Sequence, residues 1–152
     1  MNDEELMRSA LNIARDALSS GDVPVGALIV NEFGEVIASG RNERELHQDP
    51  TAHAEILALR RASEVTGQWR LENHTLVVTL EPCAMCAGAI AQSRISTLVY
   101  GAWDEKAGAV GSVWDILRDP RSLFKVEVRA GVLAQECGGL LKEFIQGVRK
   151  RD

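Results

Sequence analysis

Residues 75–92 read TLVVTLEPCAMCAGAIAQ. Thr75 to Leu80 is apolar and β-branched, the composition of a buried strand. Pro82 suits the first position of a helix, where a missing N–H costs nothing, and the helix it opens runs to about Gln92. Ile95 to Tyr100 is again apolar and β-branched, a second buried strand. Strand, helix and strand in so short a span make a crossover unit, which implies an α/β layered chain with a partly parallel sheet.

The flanking sequence continues the alternation. Asp3 to Ser19 carries Leu6, Ala10, Ile13, Ala14 and Ala17 at helical spacing, with Asp3 as the expected cap. Gly21-Asp22-Val23-Pro24 ends that helix. Val25–Val30 and Glu35–Ser39 read as a hairpin about the turn formers Asn31-Glu32-Phe33-Gly34. Gly40 to Pro50 is polar and irregular. Thr51 is the expected cap of a helix over Ala52–Glu64. Past the second buried strand, Gly101–Gly111 reads as a loop, Ser112–Leu117 as a short helix and Val126–Arg129 as a last strand. A final helix from about Leu133 to Val148 has Leu133, Cys137, Leu140, Leu141, Phe144 and Val148 on one face. We expect one domain over residues 1–152.

Composition narrows the class. The chain has 152 residues, of which 45% are hydrophobic, enough to bury a substantial core, and neither repeats nor biased segments interrupt it. The start, Met1-Asn2-Asp3-Glu4-Glu5, is acidic and unlike a secretory signal. No run of about 18 apolar residues predicts a membrane span, so a cytoplasmic protein is expected. The net charge of −5 leaves no global basic footprint for nucleic acid. Arg41, Arg44, Arg94, Lys106 and the closing Arg149-Lys150-Arg151 read mostly as solvated surface charge.

An odd set of three cysteines, Cys83, Cys86 and Cys137, argues against a disulfide framework. Two segments carry the chemistry: Thr51-Ala52-His53-Ala54-Glu55 and Glu81-Pro82-Cys83-Ala84-Met85-Cys86. Both open helices, where free N–H groups and the positive end of the dipole favour thiolate. Cys83 and Cys86 are three apart and share a helix face. Two thiolates and a neutral imidazole from His53 match the softness of zinc and cancel its charge, and three protein ligands leave a fourth position for water. That is the arrangement of a catalytic ion. Glu55 can reach past the metal to the water and move its protons. A redox reading of Cys-x-x-Cys is disfavoured by His53 and Glu55. Cys137 reads as a core thiol, and His47 and His74 as surface residues. Asn73-His74-Thr75 matches a glycosylation acceptor by coincidence, and Gly108-Ala109-Val110-Gly111-Ser112 lacks the Gly-Lys of a phosphate loop. Of Trp69, Trp103 and Trp114, two are expected to pack.

The pairing His-x-Glu with Pro-Cys-x-x-Cys is the pattern of zinc nucleobase deaminases, and the chain resembles the bacterial tRNA-specific adenosine deaminases of the cytidine deaminase-like superfamily. The likeness runs from about residue 4 to 146. It includes Val23-Pro24-Val25-Gly26-Ala27, Asn42, Asp49 to Ile56, Thr79 to Ala89, Ser93-Arg94-Ile95, Asp104, Lys106, Gly108-Ala109 and Gly111-Ser112. The resemblance implies a three-layer α/β fold with a five-stranded mixed sheet flanked by helices. It also implies one zinc ion per subunit, a homodimer that binds RNA across both subunits, and hydrolysis of adenosine to inosine at the wobble position of a tRNA anticodon. In such proteins Asn42 would hydrogen-bond the flipped nucleotide, and Asp104 and Lys106 would belong to the loop that grips the anticodon stem-loop. Trp103 stands where a basic residue is expected, and stacking on a base could compensate. Two other readings remain open on the motifs alone: a zinc deaminase of a free base or nucleoside, of guanine or cytosine type, and a zinc-stabilised nucleic-acid binding module without turnover.

Overall fold

A computed structural model describes residues 1–151; the side chains of Lys150 and Arg151, and Asp152, lie outside the described residues. The elements in chain order are helix α1 (Asp3–Asp16), a 3₁₀ turn (Ala17–Ser20), strands β1 (Gly26–Val30) and β2 (Val36–Arg41), helices α2 (Arg44–His47) and α3 (Ala54–Thr66), strand β3 (Thr75–Leu80), helix α4 (Ala84–Gln92), strands β4 (Thr97–Ala102) and β5 (Glu127–Arg129), and helix α5 (Ala134–Arg151).

The sheet order is β2-β1-β3-β4-β5. β1 is antiparallel to both β2 and β3, while β3–β4 and β4–β5 are parallel. The sheet is therefore mixed and five-stranded, as the resemblance implies. Its two faces follow from the period-2 alternation of strand side chains. Ala27, Ile29, Leu76, Val78, Leu98 and Tyr100 point to one side, where Ala54, Ala58, Leu59 and Ala62 of α3 and Ala87 and Ile90 of α4 cover them. Leu28, Val30, Val77 and Val99 point to the other, beneath Leu6, Met7, Ala10 and Leu11 of α1 and Cys137 of α5. The result is three layers. Small residues let the layers close up: at Gly40 in β2 an added Cβ would meet the carbonyl of Ala54 and lie 2.8 Å from the Ala58 nitrogen. β2 thus seats the first turn of α3.

Local expectations shift where capping is decided by more than residue type. Asn2, not Asp3, caps α1, its side chain accepting from Glu5 N–H at 2.9 Å. α3 begins at Ala54 with His53 as N-cap, not at Ala52 behind Thr51, because the Thr51 hydroxyl and N–H are both taken by Asp49. α4 begins at Ala84 with Cys83 as N-cap, so Pro82 precedes the helix. β2 runs on to Arg41, and the polar stretch behind it holds the short α2. Asp22 holds that turn in place by accepting from Glu45 N–H at 2.6 Å and Leu46 N–H at 3.3 Å.

The expected helix over Ser112–Leu117 is not formed. The N–H groups of Val113 and Trp114 both turn back to the Gly108 carbonyl, Ile116 N–H donates to Ala109, and Val110 bridges to Asp115. The tryptophans differ too. All three are more than half exposed; Trp69 lies under the guanidinium groups of Arg70 and Arg94, and Trp103 meets Tyr100 edge-on.

Candidate active site

The site forms where β3 ends and two helices begin. His53 and Cys83 occupy the N-cap positions of α3 and α4, both in extended backbone conformation. The N-cap geometry turns each side chain towards the gap between the helices, and the first turns add Glu55 and Cys86. His53 Nδ1 lies 3.6 Å from Cys83 Sγ and 3.6 Å from Cys86 Sγ. The three ligand atoms all lie within 4.8 Å of one another. For a tetrahedral ion with Zn–S of about 2.3 Å and Zn–N of about 2.0 Å, the nitrogen–sulfur edge is about 3.5 Å. The donor set therefore fits zinc in both softness and spacing. Cys137 cannot join it, since that thiol is buried on the opposite face of the sheet.

The electrostatics of the cluster follow from its burial, its internal hydrogen bonds and the charges it holds close together. Cys83 is pulled down to about 3, chiefly by the Cys86 thiol that donates to it and further by His53, against the cost of burial. Cys86 is pushed upward because it is the donor of that pair, is buried, and faces the negative charge of Glu55. His53 is raised by its hydrogen bond to Cys83, against burial. A divalent ion would offset both sulfurs and free the imidazole of its proton. Glu55 is 4% exposed, and burial lifts its carboxyl to about 7, opposed by hydrogen bonds and by the charge of His53. A carboxyl with that proton affinity can both accept and donate near neutrality.

Beside the cluster is a cavity of about 200 Å³, below the range that holds drug-sized ligands and suited to one flat heterocycle. Val23, Val25 and Leu80 make its apolar wall, and Asn42, Arg44 and Asp104 also line it. Asn42 is buried, with Nδ2 donating to the Val23 carbonyl and Oδ1 accepting from Arg44 N–H, both at 3.3 Å. These long bonds can yield to a ligand. Asp104 Oδ1 accepts from the N–H groups of Lys106 and Ala107, each at 3.1 Å, so its carboxylate shapes its own loop. Lys106 is exposed and outside the cavity lining. Arg44, grouped with surface charge on sequence grounds, lines the pocket. His47 lies away from the cluster on α2, paired with Glu43 at 3.0 Å.

Sequence reasoning passed over Glu81, which also borders the cavity. Its signal was a carboxylate set directly after the apolar run TLVVTL, a place where a charged group, if buried, must find partners inside.

The MafB19-like deaminase family matches residues 1–149. The tRNA-specific adenosine deaminase of Bacillus subtilis (strain 168) is 46% identical over 149 residues, covering 98% of this chain and 92% of that protein. A solved tRNA:A34 deaminase, studied for A-to-I editing at the wobble position of transfer RNA, superposes with a TM-score of 0.85 at 43% identity, covering 90% of this chain and 98% of its own. The guanine deaminase of Bacillus subtilis gives a TM-score of 0.66 at 30% identity, covering 99% and 95%.

Proposed function

Because the chain belongs to the MafB19-like deaminase family and to the tRNA-specific adenosine deaminases, we propose that it hydrolyses adenosine to inosine at the wobble position of tRNA anticodons through the His53, Glu55, Cys83 and Cys86 centre. The observation that carries this reading is the convergence of two helix N-termini on a pocket sized for one base, with a buried carboxyl beside three zinc-type ligands.

The target base leaves the anticodon loop and enters the pocket, at modest cost for an unpaired nucleotide. Val23, Val25 and Leu80 pack on the purine, and Asn42 exchanges its two long internal bonds for contacts with the nucleotide. His53, Cys83 and Cys86 would hold one zinc ion per subunit, which would supply Lewis acidity toward water. Glu55 takes a proton from the water whose oxygen adds to C6 and delivers it to N1. It then takes the proton of the new C6 hydroxyl and passes it to the amino group. The C6–N bond breaks, ammonia leaves, and C6 keeps the oxygen as the carbonyl of inosine. Asp104 and Lys106, on the loop after β4, hold the flanking anticodon RNA.

The working unit is a homodimer. An apolar groove between α3 and α4, bordered by Ile56, Leu59, Trp69 and Ala89, supports a second copy of the chain as its occupant. No helix among the described residues is long and apolar enough to cross a membrane, and a tRNA substrate supports a cytoplasmic location. The deciding assay incubates the protein with an anticodon stem-loop carrying adenosine at the wobble position and, separately, with free guanine, cytosine and adenosine. Inosine in the stem-loop and ammonia release that a chelator stops are expected. Turnover of free guanine with an unreacted stem-loop would overturn the proposal, and a pure binding module would release no ammonia at all.

A further inference from the structure

Glu81 is fully buried and takes no part in the proton transfers above. Its two oxygens are saturated by four donors. Oε1 accepts from Asp104 N–H at 3.0 Å and from the Ser112 hydroxyl at 2.5 Å; Oε2 accepts from Val110 N–H at 3.0 Å and Ser112 N–H at 3.1 Å. All four donors belong to one segment, residues 104–112, which leaves β4 and passes the mouth of the pocket. Apart from the bridge at Val110, that segment has no regular structure to hold it. At Gly108 an added Cβ would overlap the Glu81 carboxylate, so the chain wraps the carboxylate closely.

The backbone on either side of Glu81 is tied as well. Glu81 N–H donates to the Ala102 carbonyl at 2.8 Å, and Ala109 N–H donates to the Pro82 carbonyl at 2.8 Å. Two residues further on is Cys83. One side chain therefore fixes the pocket wall that carries Asp104 and Ala107 relative to the turn that carries the metal ligands. Hydrogen bonds to an ionised buried carboxylate are among the strongest available to a loop.

We propose that Glu81 is a positioning residue: it latches the 104–112 loop to the Cys83–Cys86 turn, so that the RNA-holding wall and the reacting centre address the same nucleotide. The inference rests on the reading of this loop as the part that holds anticodon RNA. Its structural half can be judged without RNA.

The variants are Glu81→Gln, which keeps the shape but turns an NH₂ group against N–H donors, Ser112→Ala, which removes one of the four bonds, and Ser112→Thr, which retains the hydroxyl. Amide hydrogen exchange over residues 104–112 is measured in the zinc-loaded proteins, together with kcat and KM for the anticodon stem-loop. We expect faster loop exchange and a KM raised about tenfold in Ser112→Ala, a larger rise in Glu81→Gln, little change in kcat for Ser112→Ala, and near-native behaviour in Ser112→Thr. Wild-type exchange rates in Ser112→Ala overturn the latch. Faster exchange with an unchanged KM, or a loss confined to kcat, overturns the positioning role. If Glu81→Gln does not fold, Ser112→Ala decides. A wild-type protein that leaves the stem-loop unreacted sinks the substrate reading instead, and the exchange data still judge the latch.

Discussion

Replacing Gly40 with alanine tests whether the seat of α3 sets the reacting geometry. The added methyl would meet the Ala54 carbonyl and come within 2.8 Å of the Ala58 nitrogen, both backbone atoms. A carbon–oxygen contact needs about 3.3 Å or more, so α3 must retreat by about 1 Å or β2 must bend. Neither neighbour is the tip of a flexible side chain that could swing aside. Overpacking of this kind costs about 1–3 kcal/mol. The strain falls at the site, because Ala54 lies between His53 and Glu55, and a misplacement of about 1 Å at a reacting group can lower turnover about 10²-fold. Gly139→Ala is the control: it lies in α5, where an added Cβ meets nothing within 4 Å, and alanine there should stabilise by about 0.5–1 kcal/mol. Urea denaturation and kcat on the stem-loop read both effects. A Gly40→Ala protein of wild-type stability and full activity would refute the claim that the close contact of β2 with α3 positions Glu55.

Two further outcomes follow from the site and a third from the opposite face of the sheet. Glu55→Gln should retain bound zinc yet lose about 10²–10⁴ in turnover; inosine formation and metal content measured on one sample check this, and substantial activity would remove Glu55 from the mechanism. Cys83→Ser, Cys86→Ser and His53→Ala should each lower metal content below one per chain and reduce Tm, as a chelator should for the wild type, since ligand binding feeds folding; a stoichiometric ion in any of them contradicts the ligand set. Cys137 is buried, and burial, aided by the charge of Glu136, pushes its thiol up to about 11. At pH 8 only about one part in a thousand is thiolate, a fraction that grows as pH rises towards 11. Iodoacetamide at pH 8 should therefore leave Cys137 unlabelled until the protein is unfolded, and rapid labelling of the folded chain would show the packing against β4 to be wrong.

Much of the architecture was legible in local composition and spacing. The continuous apolar, β-branched run TLVVTL and the helical spacing in Asp3–Ser19 each name an element without reference to anything distant, and their order names an α/β chain. The misread elements were those whose local signals compete. Thr51 is a good cap by type, but Asp49 two residues earlier occupies it, and His53 caps instead. Ser112–Leu117 has helical composition, but the N–H groups of its neighbourhood go to Glu81 and to the carbonyls of Gly108 and Ala109. Glu81 is distant in sequence, and the two carbonyls are reached only because the chain turns back on itself, so local composition does not reveal these partners.

The amino-acid order alone determined the chemistry on offer: which side chains are soft metal donors, which carboxylate follows the histidine, and which of the long stretches are strand or helix. These are properties of residue type and short spacing. Only the tertiary structure decided that His53 Nδ1 sits 3.6 Å from two sulfurs contributed by another helix, that Glu55 is stripped of water, and that Glu81 binds a loop more than twenty residues away. Proton affinity and coordination depend on distance and solvent access. Those are set by packing the two helices onto one sheet face, after chain order has done its part.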